Sequence, residues 1–263
     1  LAWHHPNKRI LPWRENRDPH RIWISEIMLQ QTRVEAVKPY YDRFLDLFPK
    51  VTDLANASEE QLLKSWEGLG YYNRIRNLNK AAGIVRDEYK GKIPNDYAKL
   101  LELPGIGSYT AGAVASIAFG IAEPAVDGNV LRIITRISAD QSDILSAKVK
   151  KKTEDDLRLV MPKDRPGDFN QSLMELGATV CIPNGMPKCT ECPLYEMCET
   201  RKQELFDRIP FKKPKKKRVV EPKTVLIIRD GDKTLNRKRE SKGLLAGLYE
   251  FPTYDGYMSE DEI

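Results

Sequence analysis

The four cysteines of the chain, Cys181, Cys189, Cys192 and Cys198, all lie within eighteen residues of one another. Gaps of seven, two and five residues separate them. A secreted protein held together by disulfides would spread its cysteines more widely, whereas closely spaced thiolates are typical ligands of a metal ion or an iron–sulfur cluster. Spacing alone does not separate iron–sulfur from zinc. Because four cysteines leave no open coordination position, the pattern predicts a structural centre in a reducing compartment.

A single glutamate stands in an apolar segment near the start of the chain. In a helix, Glu26 would have Ile22, Trp23, Leu29 and Gln30 as its neighbours three and four residues away. Loss of water favours the neutral form of a carboxylic acid, and a neutral acid near pH 7 can donate a proton to a leaving base. The alternative is a glutamate that emerges into water at the edge of the helix.

Two glycines lie between two predicted helices, in the segment Leu103-Pro104-Gly105-Ile106-Gly107. Such a pair permits a tight turn with unusual backbone angles. The helix that follows begins with exposed amide groups and a positive dipole end, which together can bind a phosphate without a basic side chain. The segment therefore predicts either a DNA-phosphate site or an ordinary turn between helices.

Asp127 begins the segment Asp127-Gly128-Asn129, which precedes an apolar-periodic helix at 130–137. Aspartate is a preferred N-cap residue, so helix capping is one interpretation. The other is a carboxylate at the mouth of a cleft. Cleavage of an N-glycosidic bond builds positive charge on the sugar, which a fixed carboxylate stabilises. The two roles can coexist.

Helices are predicted over most of residues 20–210. Their predicted ranges are 20–33, 36–48, 77–89, 96–103, 108–119, 129–139, 148–160 and 168–180, and Ser58 is the predicted cap of a further helix that carries Leu62, Leu63 and Trp66. Composition changes at Pro210, where a basic, proline-containing linker follows. Beyond it we predict strands at 224–229 and 234–239 around a turn at Asp230-Gly231-Asp232, and a short strand at 244–251.

Composition permits a nucleic-acid partner without requiring one. Lysine and arginine total 43 against 38 acidic residues in 263, for a formal charge of +5. The most apolar stretch, residues 111–122, is too short to cross a bilayer and contains two glycines. No secretory signal is recognisable, so we expect no membrane partner and, in a bacterial cell, a cytoplasmic location near the nucleoid.

The hairpin at 103–107, the aspartate that follows it and the four-cysteine cluster, in this order, resemble the endonuclease III superfamily of helix-hairpin-helix DNA glycosylases. The resemblance covers residues 1–205. It implies a mainly α fold of two helical domains with the DNA cleft between them: a six-helix part at 20–130, and a part built from the N-terminal segment and residues 131–205 that carries a [4Fe-4S] cluster on the four cysteines. A basic linker at 206–222 follows.

Within the superfamily the chain is most similar to the adenine-specific mismatch glycosylases. Three segments carry this similarity: Leu11-Pro12-Trp13-Arg14, Ser25-Glu26-Ile27-Met28-Leu29-Gln30-Gln31-Thr32 and Trp66-Glu67-Gly68-Leu69-Gly70-Tyr71-Tyr72. It implies an enzyme of base excision repair that hydrolyses the N-glycosidic bond of adenine mispaired with 8-oxoguanine or guanine. Its partner would be double-stranded DNA with an adenine mismatch, and the enzyme would act as a monomer.

The resemblance also implies roles for single residues. Glu26 would protonate the departing adenine, Asp127 would stabilise the sugar cation or attack it, and Asn129 would support Asp127. The residues implied around the extruded adenine are Arg9, Leu11, Trp13, Arg14 and Gln171. Gln31 and Tyr71 would enter the duplex near the opposite guanine, with Thr32 and Leu69 beside them, while Gly105 and Gly107 would bind the DNA backbone.

Tyr109 distinguishes two activities. Bifunctional relatives carry a lysine at the second position after the hairpin, which forms a Schiff base and cuts the strand. Tyr109 occupies that position, so the resemblance implies a monofunctional glycosylase. The alternatives are a bifunctional enzyme for oxidised pyrimidines and a non-catalytic iron–sulfur protein that binds DNA.

The sequence departs from the family pattern in two places. The first cysteine gap is seven residues, where the family usually has six. Residues 223–263 resemble only the beginning of a Nudix-like α/β domain, which in the family recognises 8-oxoguanine. We therefore expect a partial domain there. A partial domain puts in question whether the protein discriminates between the bases opposite the adenine.

Overall fold

The computed structural model describes residues 1–214, 218–240, 243 and 245–263. They form two compact units, Leu1–Lys213 and Pro214–Ile263. The first unit is helical, and the second contains short antiparallel strands. Residues 215–217 of the predicted basic linker and Leu244, the start of a predicted strand, lie outside the described residues.

The helices of the first unit follow the apolar periodicity of the sequence. They are α1 His4–Asn7, α2 Pro19–Leu29, α3 Val34–Leu47, α4 Val51–Asn56, α5 Glu59–Ser65, α6 Asn73–Glu88, α7 Tyr97–Leu101, α8 Ser108–Phe119, α9 Gly128–Ser138, α10 Ala147–Val160, α11 Pro166–Thr179 and α12 Glu199–Lys202. Every predicted helix is confirmed, and the predicted cap of α5 is present, since Ser58 accepts from the backbone N–H of Gln61. The short helices α1, α4 and α12 were not predicted.

Two predicted helix ends were wrong by about one turn. Helix α6 begins at Asn73 rather than at 77, and α2 ends at Leu29 rather than at 33. The chain leaves α2 early because Gln30 adopts an extended backbone and the side chain of Arg74 satisfies carbonyl oxygens of the last helical turn. Gln31 and the residues beside it therefore lie in a turn after the helix.

The first unit has two hydrophobic cores. One runs from Leu11 to Ala125 and buries Trp23 and Trp66 almost completely. The other is formed by residues between Val126 and Val180. Helix α11 packs against both α8 and α9, so it joins the two cores at the level of the loop that precedes Asp127.

The described residues of the second unit form three two-stranded antiparallel ladders. Their strands are β1 Lys223–Val225 with β6 Thr253–Asp255, β2 Arg229–Asp230 with β3 Lys233–Thr234, and β4 Arg237–Lys238 with β5 Tyr249–Glu250. The predicted turn is present, but the long hairpin predicted around it was wrong. Only two residue pairs flank the turn, and β1 pairs with β6 instead, because alternation along a strand specifies a face and not a partner.

Among the described residues, no helix combines the length and the apolar character that crossing a membrane requires.

Candidate active site

A cavity of about 200 Å³ in the first unit gathers residues that are far apart in the sequence. Its lining includes Arg9, Leu11, Trp13, Arg14, Glu26, Thr32, Tyr109, Asp127, Asn129 and Gln171, all of which were predicted site residues. They come from the segment before α2, from α2 and the turn after it, from α8, from the start of α9 and from α11. The cavity is large enough for a small planar molecule and combines apolar walls with two carboxylates.

Glu26 lies on the buried face of α2 with only 6% of its surface exposed. The alternative of a water-exposed glutamate is therefore wrong. Burial raises the pKa of Glu26 from 4.5 to about 7, and the nearby Asp127 carboxylate adds to the rise. A hydrogen bond from Tyr109 and the charge of Arg14 act in the opposite direction. Glu26 can thus hold a proton near neutral pH while facing the cavity.

Tyr109 is the polar partner of Glu26. Its Oη lies 2.6 Å from Glu26 Oε2 and donates to it, and Met174 Sδ lies 3.8 Å from the same hydroxyl. Burial and the carboxylates of Glu26 and Asp127 raise the pKa of Tyr109 well above its ordinary value. The phenol therefore remains a hydrogen-bond donor at any physiological pH and fixes one oxygen of Glu26.

Asp127 caps helix α9, as one interpretation of the sequence predicted. Its Oδ1 accepts from the backbone N–H groups of Asn129 and Val130 at 2.9 and 2.8 Å. Its Oδ2 accepts from Asn129 Nδ2 at 2.7 Å. Three donors and the positive end of a helix dipole suit a carboxylate anion, and the same side chain lines the cavity. Capping and exposure to the cavity therefore coexist.

Asn129 is itself held from behind. Its Oδ1 accepts from Arg132 Nη2 at 2.9 Å. Helix α11 passes so close that a Cβ placed on Gly177 would lie 2.6 Å from Asn129 Cβ. Any side chain at that glycine would push against the residue that orients Asp127.

A buried carboxylate that sequence reasoning missed holds two arginines of the cavity lining. The Glu175 side chain is fully buried and pairs with Arg9 Nε at 2.6 Å and Arg14 Nη2 at 2.8 Å. Burial opposes its charge, but these two arginines hold the pKa of Glu175 below its ordinary value. The available signal was its position four residues after Gln171, which places both residues on one face of α11.

The other predicted DNA-binding residues lie outside the cavity lining. Gln31 and Tyr71 are exposed, and both have positive backbone φ angles, 57° and 48°. Leu69 is buried in the first core. Gly105 and Gly107 lie in the turn between α7 and α8, so these five residues do not belong to the pocket itself.

The turn between α7 and α8 uses its two glycines differently. Gly105 has a φ of 80°, and a Cβ there would approach Asn77 Cβ to 2.8 Å. Gly107 has an extended backbone that other residues also adopt, so Gly105 is the glycine of the pair whose backbone angle is unusual. Gly107 is the N-cap of α8 and offers no side chain to cap the first amides of that helix.

The four cysteines are free and half-buried. Cys181 Sγ accepts from Arg136 Nη1 at 3.3 Å, and Cys198 Sγ lies 3.5 Å from the carbonyl oxygen of the same arginine. Burial raises the pKa of Cys189 and Cys192, and the neighbouring thiols raise them further. Across the described parts of the chain, no three His, Cys, Asp or Glu side chains are arranged to hold a metal ion.

A buried acid and a hydrogen-bonded carboxylate that line one cavity, in a chain with a glycine-containing turn between two helices, are the features expected of the helical DNA glycosylases. Residues 24–162 match the model of the HhH-GPD superfamily of base excision DNA repair proteins. The chain belongs to this superfamily.

Two curated relatives are adenine DNA glycosylases. The chain is 36% identical over 255 residues to the adenine DNA glycosylase of Buchnera aphidicola subsp. Acyrthosiphon pisum (strain APS), a match that covers 97% of this chain and 73% of that protein. It is 43% identical over 212 residues to the adenine DNA glycosylase of Homo sapiens, covering 77% of this chain and 39% of that protein. The prediction of an adenine DNA glycosylase of base excision repair is confirmed at this level.

Solved structures agree on the fold. A thermostable thymine-DNA glycosylase has a TM-score of 0.70 and 30% identity, covering 77% of this chain and 93% of its own. A trapped covalent intermediate of endonuclease III with DNA has a TM-score of 0.65 and 25% identity, covering 78% and 94%. The prediction of a mainly helical, endonuclease III-like fold is therefore confirmed.

Proposed function

We propose that the chain removes adenine mispaired with 8-oxoguanine or guanine from double-stranded DNA and leaves an abasic site. The observation that carries this proposal is the pair of carboxylates in one cavity. Glu26 is buried, with its pKa raised to about 7, and Asp127 accepts three hydrogen bonds at the start of α9. One group is suited to donate a proton, and the other to face a cation.

In the proposed reaction the extruded adenine enters the cavity, and its bond to the sugar C1′ breaks. The bonding electrons leave with the base, which takes the proton of Glu26. Positive charge develops at the sugar, and Asp127 stabilises it. Water then adds to C1′ and gives up a proton, so the products are free adenine and an abasic site.

We assign recognition of the base to other residues that line the same cavity. Arg9, Arg14 and Gln171 would offer polar contacts there, while Leu11 and Trp13 supply apolar faces. The Glu175 carboxylate supports this assignment because it fixes both arginines at the cavity edge. Gln31, Thr32, Leu69 and Tyr71 would contact the duplex, and the start of α8 at Gly107 would bind a phosphate.

Tyr109 supports a monofunctional reaction. A Schiff base needs an amine, and this position supplies a phenol that is hydrogen-bonded to Glu26. Treatment of the reaction with borohydride should trap no covalent complex with DNA. Efficient trapping would instead point to a bifunctional enzyme.

We further propose that the four cysteines hold a [4Fe-4S] cluster, which would supply a structural link in the loop after α11. The donor set fits, because the thiols of Cys181, Cys189 and Cys198 lie near enough to Cys192 to raise its pKa, and Cys181 and Cys198 both contact Arg136. Iron and acid-labile sulfide analysis of the purified protein tests this assignment. Zinc in place of iron would overturn it.

We also propose that residues 223–263 form the start of a Nudix-like domain and that the enzyme acts as a monomer in the cytoplasm.

The decisive experiment for the function is single-turnover adenine release from duplexes with adenine opposite 8-oxoguanine or guanine, beside a thymine-glycol duplex. Release without strand cutting until alkali is added supports the proposal. Cutting of the thymine-glycol strand, or release from no duplex, overturns it.

A further inference from the structure

One arginine connects two exposed turns of the first unit. Arg74 lies in the first turn of α6. Its Nη1 donates to the carbonyl oxygens of Ile27, Met28 and Gln30 at 3.0, 2.9 and 2.6 Å, and its Nη2 to those of Leu69 and Gly70 at 2.9 and 3.1 Å. The guanidinium therefore joins the end of α2 to the turn before α6.

Each of these turns carries a residue in an unfavourable backbone conformation. Gln31 has a φ of 57° and Tyr71 a φ of 48°, a region that residues other than glycine seldom occupy. Such conformations persist where the surrounding structure fixes them, and they concentrate at functional sites. Arg74 is the shared anchor, because it binds the backbone immediately before both residues.

The chemistry of the anchor suits this task. Carbonyl oxygens at the end of a helix carry partial negative charge, which a cation stabilises. The guanidinium is a rigid planar fork with several donors, so one side chain reaches both turns. Its central carbon also lies 5.6 Å from the centroid of the Tyr71 ring and 5.2 Å from that of Trp66.

We propose that Arg74 is a positioning residue that holds Gln31 and Tyr71 as one rigid element, so that both side chains enter a mispaired duplex together. This inference rests on the proposed function, which places those two side chains in DNA. Without the anchor, each turn would have to be ordered separately at the moment of binding, and mismatch affinity would fall.

A double-mutant cycle tests the inference. Arg74→Gln, Tyr71→Ala and the double variant are compared by their affinity for an adenine–8-oxoguanine duplex relative to a matched duplex. Loss of hydrogen bonds from a charged group predicts a weakening of about 10-fold to 100-fold for Arg74→Gln. If Arg74 acts through Tyr71, the affinity ratio of the double variant should be no lower than that of the single variant with the lower ratio. Additive losses, or no loss in Arg74→Gln, would overturn the inference.

Two further variants keep the test decisive. Arg86 lies on the same helix and pairs with Asp87 at the surface, so Arg86→Gln should leave the affinity ratio unchanged. If Arg74→Gln does not fold, Arg74→Lys replaces it in the cycle, since it keeps the charge but cannot span both turns. Adenine release by the wild-type protein is measured in parallel. If the wild type releases adenine but the affinity losses of the two variants are additive, the positioning role of Arg74 is rejected and the proposed function stands. If the wild type releases no adenine, the proposed function itself is rejected.

Discussion

The two carboxylates of the cavity are held by different kinds of local structure. Glu26 lies in the middle of α2, in a segment where almost every residue is buried, and Tyr109 is its hydrogen-bonding partner. Asp127 is the N-cap of α9, where backbone amides and the Asn129 side chain supply it with donors. A helix interior offers a carboxylate no amides, whereas a helix start offers several.

This difference separates two chemical roles within one small cavity. Burial, only partly offset by the hydrogen bond from Tyr109, raises the pKa of Glu26 to about 7 and keeps it a proton donor. Donors at the start of α9 stabilise a negative charge on Asp127. The Asp127 charge in turn raises the pKa of Glu26, so each group reinforces the role of the other. If either carboxylate were placed in the environment of the other, the separation into one proton donor and one carboxylate that stabilises positive charge should be lost.

The largest effect is expected from Glu26→Gln. The amide keeps the shape but has no acidic proton, so single-turnover adenine release should fall by about 10²-fold to 10⁴-fold. Affinity for the mismatched duplex should be retained, which gel-shift titration would measure. Glu35→Gln makes the same change on the exposed surface of α3 and should leave the rate unaltered. Wild-type release by Glu26→Gln would disprove the acid assignment.

Asp127→Asn should lower the rate by about 10²-fold to 10³-fold, the typical cost of removing one electrostatic contact to a developing charge. Asparagine caps helices as well as aspartate does, so thermal stability should change little. Asp96→Asn makes the same change at the cap of α7 and serves as the control. A normal rate in Asp127→Asn would mean that the residue is a cap and nothing more.

The buried acid should also affect stability. The pKa of Glu26 rises from 4.5 to about 7 on folding, so the folded state binds the extra proton. Its contribution is fully present below pH 4.5 and is lost as pH rises through 7, in total about 3 kcal/mol at about 1.4 kcal/mol per pKa unit. Glu26→Gln lacks this titration. We therefore expect the free energy of unfolding in urea to be higher for the variant, relative to the wild type, at pH 8 than at pH 4.5. An equal difference between the two proteins at both pH values would contradict the raised pKa of Glu26.

Sequence patterns could predict those features of Glu26 and Asp127 that depend on neighbouring residues in the chain. The apolar neighbours of Glu26 in a helical register made burial one of two interpretations, and the Asp127-Gly128-Asn129 segment made a helix cap one of two interpretations of Asp127. Both conclusions depend only on residues within four positions, where helix geometry fixes the neighbours. The helices themselves were found for the same reason.

Contacts between distant segments could not be found in this way. The bond from Tyr109 to Glu26 spans 83 residues, and the ion pairs of Glu175 span more than 160. Nothing within four residues of Glu175 indicates that two arginines near the N-terminus cover it. The pairing of β1 with β6 was missed for the same physical reason, since tertiary packing and not local pattern selects the partner.

The smallest effect is expected from Tyr109→Phe, which removes the polar partner of Glu26 and leaves the ring in place. That hydrogen bond opposes the rise in the pKa of Glu26, so its loss should move the pKa further upward. In the wild type, single-turnover adenine release should fall as pH rises through about 7, because Glu26 loses its proton. In Tyr109→Phe the fall should begin at higher pH, with a rate below pH 6 within about 10-fold of the wild type, as expected for one hydrogen bond. A pH–rate profile of both proteins measures this. Profiles that coincide would mean that Tyr109 does not influence the acid, and the contrast between Glu26 and Asp127 would then depend on burial alone.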